Sequence, residues 1–196
     1  MTGPRPTLNV VVGSIRPGRL GPVVARWLAE VAGDAGGFDV VVSDLKELDF
    51  SGVAEPELPY TGQYRDPATV AWASAISRSD AVVIVAPEYN GSYPGPLKTA
   101  IDLLGPEWRD KPVGLVGYSA IDGGTRVVDA LTRLGQSLGM SLAANPVVVG
   151  NAGALVEDSR LVPDPVTEQA GRELLASLLA AGTGSAADEA TPEGSS

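Results

Sequence analysis

The 196-residue chain contains neither cysteine nor histidine. Without thiols and imidazoles there is no disulfide, no cysteine nucleophile, no Cys/His zinc site, no Ser-His-Asp triad and no imidazole acid–base chemistry. Cationic residues are also scarce. Lys and Arg number 14 against 24 Asp and Glu, a formal net charge of -10, so nothing offsets the phosphates of a nucleic acid and none is expected as a partner. Apolar runs near the roughly 18 residues of a membrane-spanning helix are missing. The opening residues MTGPRPTLNV carry neither the basic start nor the apolar stretch of a secretory signal, and a cytoplasmic location is the expectation. With catalytic imidazole and thiol excluded, an organic cofactor that brings its own reactive atoms fits the composition, and the protein then needs only to bind, orient and polarise it.

What is present suits one well-buried core. A single domain is expected over residues 1–181, followed by a disordered tail over 182–196, where GTGSAADEATPEGSS has almost nothing to bury. Short β-branched runs alternate with helix-period segments, the pattern of an α/β protein with a parallel sheet covered on both faces. Strands are predicted over Leu8–Val12, Phe38–Ser43, Ala81–Ala86, Pro112–Tyr118 and Asn145–Val149. Val24, Trp27, Leu28 and Val31 form one helical stripe; Leu97, Ala100, Ile101 and Leu104 form a second, and Val127, Leu131, Leu134 and Leu138 a third. Right-handed crossovers between five strands give the order 2-1-3-4-5, with ligand expected where strands 1 and 3 diverge. The connection from Asp44 to Asp66 is long enough to be a lid or a subunit contact. Trp27 belongs to the core stripe, whereas Trp72 and Trp108 are less determined, and Trp108 suits a subunit boundary equally well. Lys98 and Asp102 read as a solvated helical pair.

Three loops at strand ends carry the chemistry. The first, GSIRPGR from Gly13 to Arg19, enters a helix with Pro22 in its first turn and reads as a phosphate cradle. A phosphate monoester could be met there by helix N-terminal N–H groups, the Ser14 hydroxyl, and the guanidinium groups of Arg16 and Arg19. It is neither a Walker motif nor a G-x-G-x-x-G fingerprint. The second loop, from Pro87 to Pro96, offers Tyr89, Asn90 and Tyr93 on a backbone stiffened by proline, ingredients for holding a flat heteroaromatic ring. The third runs from Tyr118 through Ser119 to Gly123 and Gly124, whose missing side chains allow close backbone approach. Taken singly, each loop also suits an ordinary turn. Their conjunction at neighbouring strand ends points to a ligand site.

The run PEYNGSYPGPLKTAIDL, Pro87 to Leu103, together with Gly13-Ser14-x-Arg16-x-x-Arg19, resembles the NADPH-dependent FMN reductase family. The similarity spans residues 7 to about 180. The resemblance implies a flavodoxin-like three-layer sandwich binding flavin mononucleotide (FMN). It places Ser14, Arg16 and Arg19 at the FMN phosphate, and Pro87, Glu88, Tyr89, Asn90 and Gly91 along the ring and ribityl chain. Tyr118, Gly123 and Gly124 match the loop that closes over the ring's far edge, which places Ser119 at the cofactor as well. The family often has glycine directly after the tyrosine, where this chain has Ser119 and Ala120. Hydride passing from NAD(P)H through FMN to a quinone, an azo compound or free flavin is the implied activity, with no catalytic side chain and no metal. Homodimers or homotetramers are implied as well. A flavodoxin-like electron carrier without NAD(P)H turnover is the alternative.

Overall fold

Alternation along the first strand divides the core. In β1 (Thr7–Val12), Leu8, Val10 and Val12 feed one apolar cluster while Val11 feeds another, and all are buried. A strand buried on both faces lies inside a sheet covered on both sides. The computed structural model describes residues 4–121 and 123–188. After β1 come α1 (Gly21–Asp34), β2 (Asp39–Asp44), α2 (Pro67–Ser77), β3 (Ala81–Pro87), α3 (Gly95–Asp102), β4 (Pro112–Tyr118), α4 (Thr125–Ser137), β5 (Ser141–Leu142) and β6 (Val147–Val149). A short hairpin of β7 (Val156–Glu157) and β8 (Arg160–Leu161) precedes α5 (Pro165–Asp188). The main sheet is parallel throughout, in the order β2-β1-β3-β4-β5 with β6 also against β4, and only the β7–β8 hairpin among the described strands is antiparallel. Helices α1 and α5 pack on one face and α2, α3 and α4 on the other, the flavodoxin-like arrangement expected.

The fifth strand arrives in two pieces. β5 pairs Ser141 with Pro112 at the start of β4, and β6 pairs Val149 with Tyr118 at its end. Between them Pro146 has no N–H to give to the ladder, so the strand expected over Asn145–Val149 is interrupted and re-enters at Val147. Helix α2 carries little amphipathic signal, yet its start is built by local chemistry. Pro67 sits in the first turn and the Asp66 carboxylate accepts from the Ala68 N–H at 2.8 Å. The tail expected to be disordered from Gly182 begins inside α5, which continues to Asp188. A helix already anchored by buried Leu174, Leu175 and Leu178 propagates at little cost per residue. Residues 189–196 lie outside the described residues.

The long connection is held at its far end. Glu55 accepts from the N–H groups of Arg65 at 2.8 Å and Asp66 at 3.1 Å, and the Tyr64 hydroxyl donates to Glu107 at 2.6 Å. Trp72 and Trp108 are both in the core under α3, where their indole N–H groups donate to the carbonyls of Ala100 and Ile101. The subunit-boundary alternative for Trp108 therefore gives way to burial at 1% exposure. No helix among the described residues is long and apolar enough to cross a membrane.

Candidate functional site

The carboxyl ends of β1, β3 and β4 release the three loops side by side around a cavity of about 470 Å³. Arg16, Arg19, Pro87, Glu88, Tyr89, Tyr118 and Ser119 line it; Ser14, Asn90, Gly91, Gly123 and Gly124 do not. The non-lining residues build the loops. Ser14 is fully buried, and the Tyr118 hydroxyl donates to its Oγ at 3.2 Å, tying the first loop to the end of β4. Gly21 is what lets them meet, because a Cβ there would lie 2.4 Å from Ser14 Oγ and 2.9 Å from the Tyr118 hydroxyl.

In the first loop the two arginines part company. Arg19 forms a forked pair with Asp44, Nη1 to Oδ1 at 2.5 Å and Nη2 to Oδ2 at 2.6 Å, and Nη1 also donates to the Ser14 carbonyl. Hydrogen bonding to Asp44 holds the Arg19 guanidinium above its ordinary value. Burial works to raise the Asp44 carboxyl, but the bonds from Arg19 and the Lys46 N–H outweigh it and hold the group below its ordinary value. Arg16 by contrast is exposed, with no ion pair among the described residues, and lies over the Tyr89 ring at 5.2 Å from the centroid. In the same loop Pro17 and Gly18 form the tight turn between Arg16 and Arg19, and the N–H groups of residues 15, 16, 18 and 20 donate to no acceptor among the described residues.

The second loop turns sharply. Tyr89 and Ser92 exchange N–H···O bonds of 2.8 and 3.0 Å, and the two residues between them, Asn90 and Gly91, take φ values of 51° and 77°. That is the two-residue hairpin turn for which Asn-Gly is the favoured pair. Glu88 reaches the next loop. Its Oε2 accepts from the Gly124 N–H at 2.8 Å and the Arg126 N–H at 3.2 Å, while Oε1 pairs with Arg126 Nε at 3.1 Å. Its side chain keeps 9% exposure.

Ser119 and Ala120, the departure from the family pattern, are tied by backbone to the loop after β6. Ser119 donates to Val149 at 3.2 Å and accepts from Ala152 at 2.8 Å; Ala120 accepts from Gly153 at 3.2 Å. Oriented to satisfy its neighbours, the Asn151 amide donates to the carbonyls of Ile121 and Ala120. Asp122 lies outside the described residues. Sequence reasoning missed Asp44, Gly21 and Asn151. The run Gly150-Asn151-Ala152-Gly153 after the fifth strand was the available signal for Asn151, being another glycine-bearing loop at the same end of the sheet.

Burial pushes the Tyr118 phenol up to about 12, so it stays protonated at neutral pH and is no general base there. The site can bind and orient an anionic, flat ligand.

The family model for NADPH-dependent FMN reductase matches residues 6–154. The chain belongs to this family. It is accordingly an oxidoreductase of the type that uses FMN and NAD(P)H. An NAD(P)H-dependent FMN reductase of Schizosaccharomyces pombe is 40% identical over 121 residues, an alignment covering 61% of this chain and 60% of that protein. A quinone reductase of Pseudomonas putida is 35% identical over 168 residues, covering 81% of this chain and 85% of that protein. Among solved structures, the flavoenzyme NAD(P)H:acceptor oxidoreductase of Paracoccus denitrificans superposes with a TM-score of 0.70 at 22% identity, over 91% of this chain and 98% of that one, which establishes the fold alone.

Proposed function

We propose that this FMN reductase family member holds FMN in the cavity between its three loops, with the phosphate at the first loop and the ring between the second and third. Reducing equivalents pass from NAD(P)H to a small acceptor such as a quinone or an azo compound, or to free flavin. One observation carries this reading: a bend whose N–H groups at 15, 16, 18 and 20 have no acceptor among the described residues, beside the charge of Arg16, which has no ion pair among them. On a chain of net charge -10, such a cradle suits an anion that the rest of the surface repels. A terminal phosphate monoester offers several acceptor oxygens to those donors.

When bound, FMN supplies the two-electron chemistry between nicotinamide and acceptor. The chain's own residues bind and orient. Arg16 neutralises the phosphate; Pro87 and Tyr89 form a stiff wall for the ring; Ser119 approaches through its backbone. Ser14, Tyr118, Glu88, Asn90, Gly91, Gly123 and Gly124 shape the loops that make these contacts. No side chain is assigned as an obligatory acid or base. Ile121, 82% exposed beside the cavity, leaves an apolar rim for the acceptor or for a second copy of the chain, and a homodimer or homotetramer working in the cytoplasm completes the proposal.

The test starts with the purified full chain. Released flavin is identified by chromatography, and oxidation of NADPH and NADH is followed with a quinone, an azo dye and free FMN as acceptors. The proposal expects FMN binding and acceptor-dependent turnover. Bound FMN with no NAD(P)H oxidation would identify an electron carrier instead, and failure to bind FMN would contradict the site.

A further inference from the structure

Arg19 has five N–H donors, and at least three hydrogen bonds already occupy it. Two go to the Asp44 carboxylate and one to the Ser14 carbonyl. The pair is enclosed, with side-chain exposures of 10% for Arg19 and 22% for Asp44. Asp44 is itself fixed. It ends β2 in register with Val12, the Leu45 N–H that follows donates to the Val12 carbonyl at 3.2 Å, and the Lys46 N–H donates to Asp44 Oδ1 at 3.0 Å. The carboxylate therefore stands at the point where the first loop leaves β1.

Holding the Ser14 carbonyl has a geometric consequence. In a planar trans peptide the C=O of Ser14 and the N–H of Ile15 point in opposite directions, so a guanidinium that captures the carbonyl also sets where that N–H is aimed. The Ile15 N–H is the first of the acceptor-free donors in the bend. Charge tells the same story, since a guanidinium forked onto a carboxylate offers a phosphate little net positive charge. Arg16 remains as the cation of this loop with no ion pair among the described residues.

We infer that Arg19 and Asp44 are a positioning pair, which sets the shape of the phosphate loop through the Ser14 carbonyl while Arg16 meets the phosphate charge. This rests on the reading of the cavity as an FMN site. Asp44 acts on a cofactor group it does not touch, and it gives a residue outside the motif a defined part in selecting phosphorylated flavin. The rival role for Arg19, direct contact with the phosphate, predicts the opposite sign. If Arg19 gripped the phosphate, removing Asp44 would free its charge and tighten FMN binding.

The experiment compares FMN with riboflavin, which has the same ring and no phosphate, by fluorescence titration of the full-length wild type, Asp44→Ala and Arg19→Lys. Riboflavin affinity reports that the ring site is folded. The inference expects both variants to lose about tenfold in FMN affinity while riboflavin affinity stays within about twofold. Lysine retains the charge but cannot fork onto a carboxylate and hold a carbonyl together, so its failure separates geometry from charge. Unchanged or tighter FMN binding in Asp44→Ala overturns the pair, as does a wild-type FMN affinity in Arg19→Lys. Equal loss of both flavins also overturns it, because the pair would then support the domain and not the phosphate loop. A wild type that does not distinguish FMN from riboflavin overturns the pair and the FMN reading together, whereas a wild type that prefers FMN, with variants that keep the preference, sinks the pair alone.

Discussion

The Glu88 carboxylate accepts the N–H of Gly124 at 2.8 Å, so the residue that follows β3 caps the helix that follows β4. Gly124 itself stands at φ 101° and α4 has no side-chain cap of its own. The first N–H groups of a helix need an acceptor, and a negative charge suits them best. One buried carboxylate thereby joins the two loops proposed to flank the flavin ring.

Glu88→Ala should cost about 1–2 kcal/mol of stability, the range for losing a helix cap and its charged hydrogen bonds. Urea denaturation measures this. Glu88→Gln keeps one acceptor oxygen and should recover part of the loss, whereas equal damage from both variants would mean that the charge and not the acceptor is what matters.

Gly21→Ala and Gly33→Ala lie on the same helix and should act in opposite directions. At position 21 a Cβ would overlap Ser14 Oγ at 2.4 Å, with Val12 and Tyr118 both at 2.9 Å, while at position 33 nothing lies within 4 Å. The first should destabilise by about 1–3 kcal/mol and weaken FMN retention by shifting the first loop. The second should stabilise by up to about 1 kcal/mol through helix propensity alone. Thermal denaturation of the two variants beside wild type decides the matter.

The Asp44–Arg19 pair gives a signed pH dependence. Because the folded Asp44 carboxyl titrates below its ordinary value, its contribution is fully present above the unfolded value of about 4 and is lost as the pH falls through the folded value. The stability difference between wild type and Asp44→Asn should be about 1–2 kcal/mol at neutral pH and shrink below about pH 4. Denaturant titrations of both proteins across that range measure it, and other carboxylates cancel in the difference.

Two helix-surface and core positions calibrate the scale. Lys98 and Asp102 form an exposed pair with side-chain exposures of 41% and 48%, so Lys98→Ala should change stability by no more than about 0.5 kcal/mol. Trp108, with 1% exposure and an indole N–H bonded to the Ile101 carbonyl at 3.0 Å, should cost about 3–5 kcal/mol as Trp108→Ala.

The sheet was legible because its strands are apolar on both faces and its helices mostly are not, a contrast that periodicity reads well. Where periodicity failed, local chemistry had taken over: α2 depends on Asp66 and Pro67, and the break in the fifth strand on Pro146. The site was legible at the level of loops but not of roles. Ser14, Glu88 and Tyr118 stand in the motifs as ligand candidates, yet they bond mainly to one another's loops. Asp44 gave no signal at all, since an acidic residue at a strand end is ordinary until the partner 25 positions away is known. A motif reports which residues gather, and only the folded chain reports which of them face the cavity.

The most direct measurement is FMN affinity and flavin-saturated reduction by NADPH in Arg16→Ala, determined anaerobically. The account predicts a dissociation constant raised by roughly 10- to 100-fold, the loss of one charge-assisted contact, with the rate of flavin bleaching at saturation within about twofold of wild type. Unchanged affinity together with collapsed saturated reduction would contradict it.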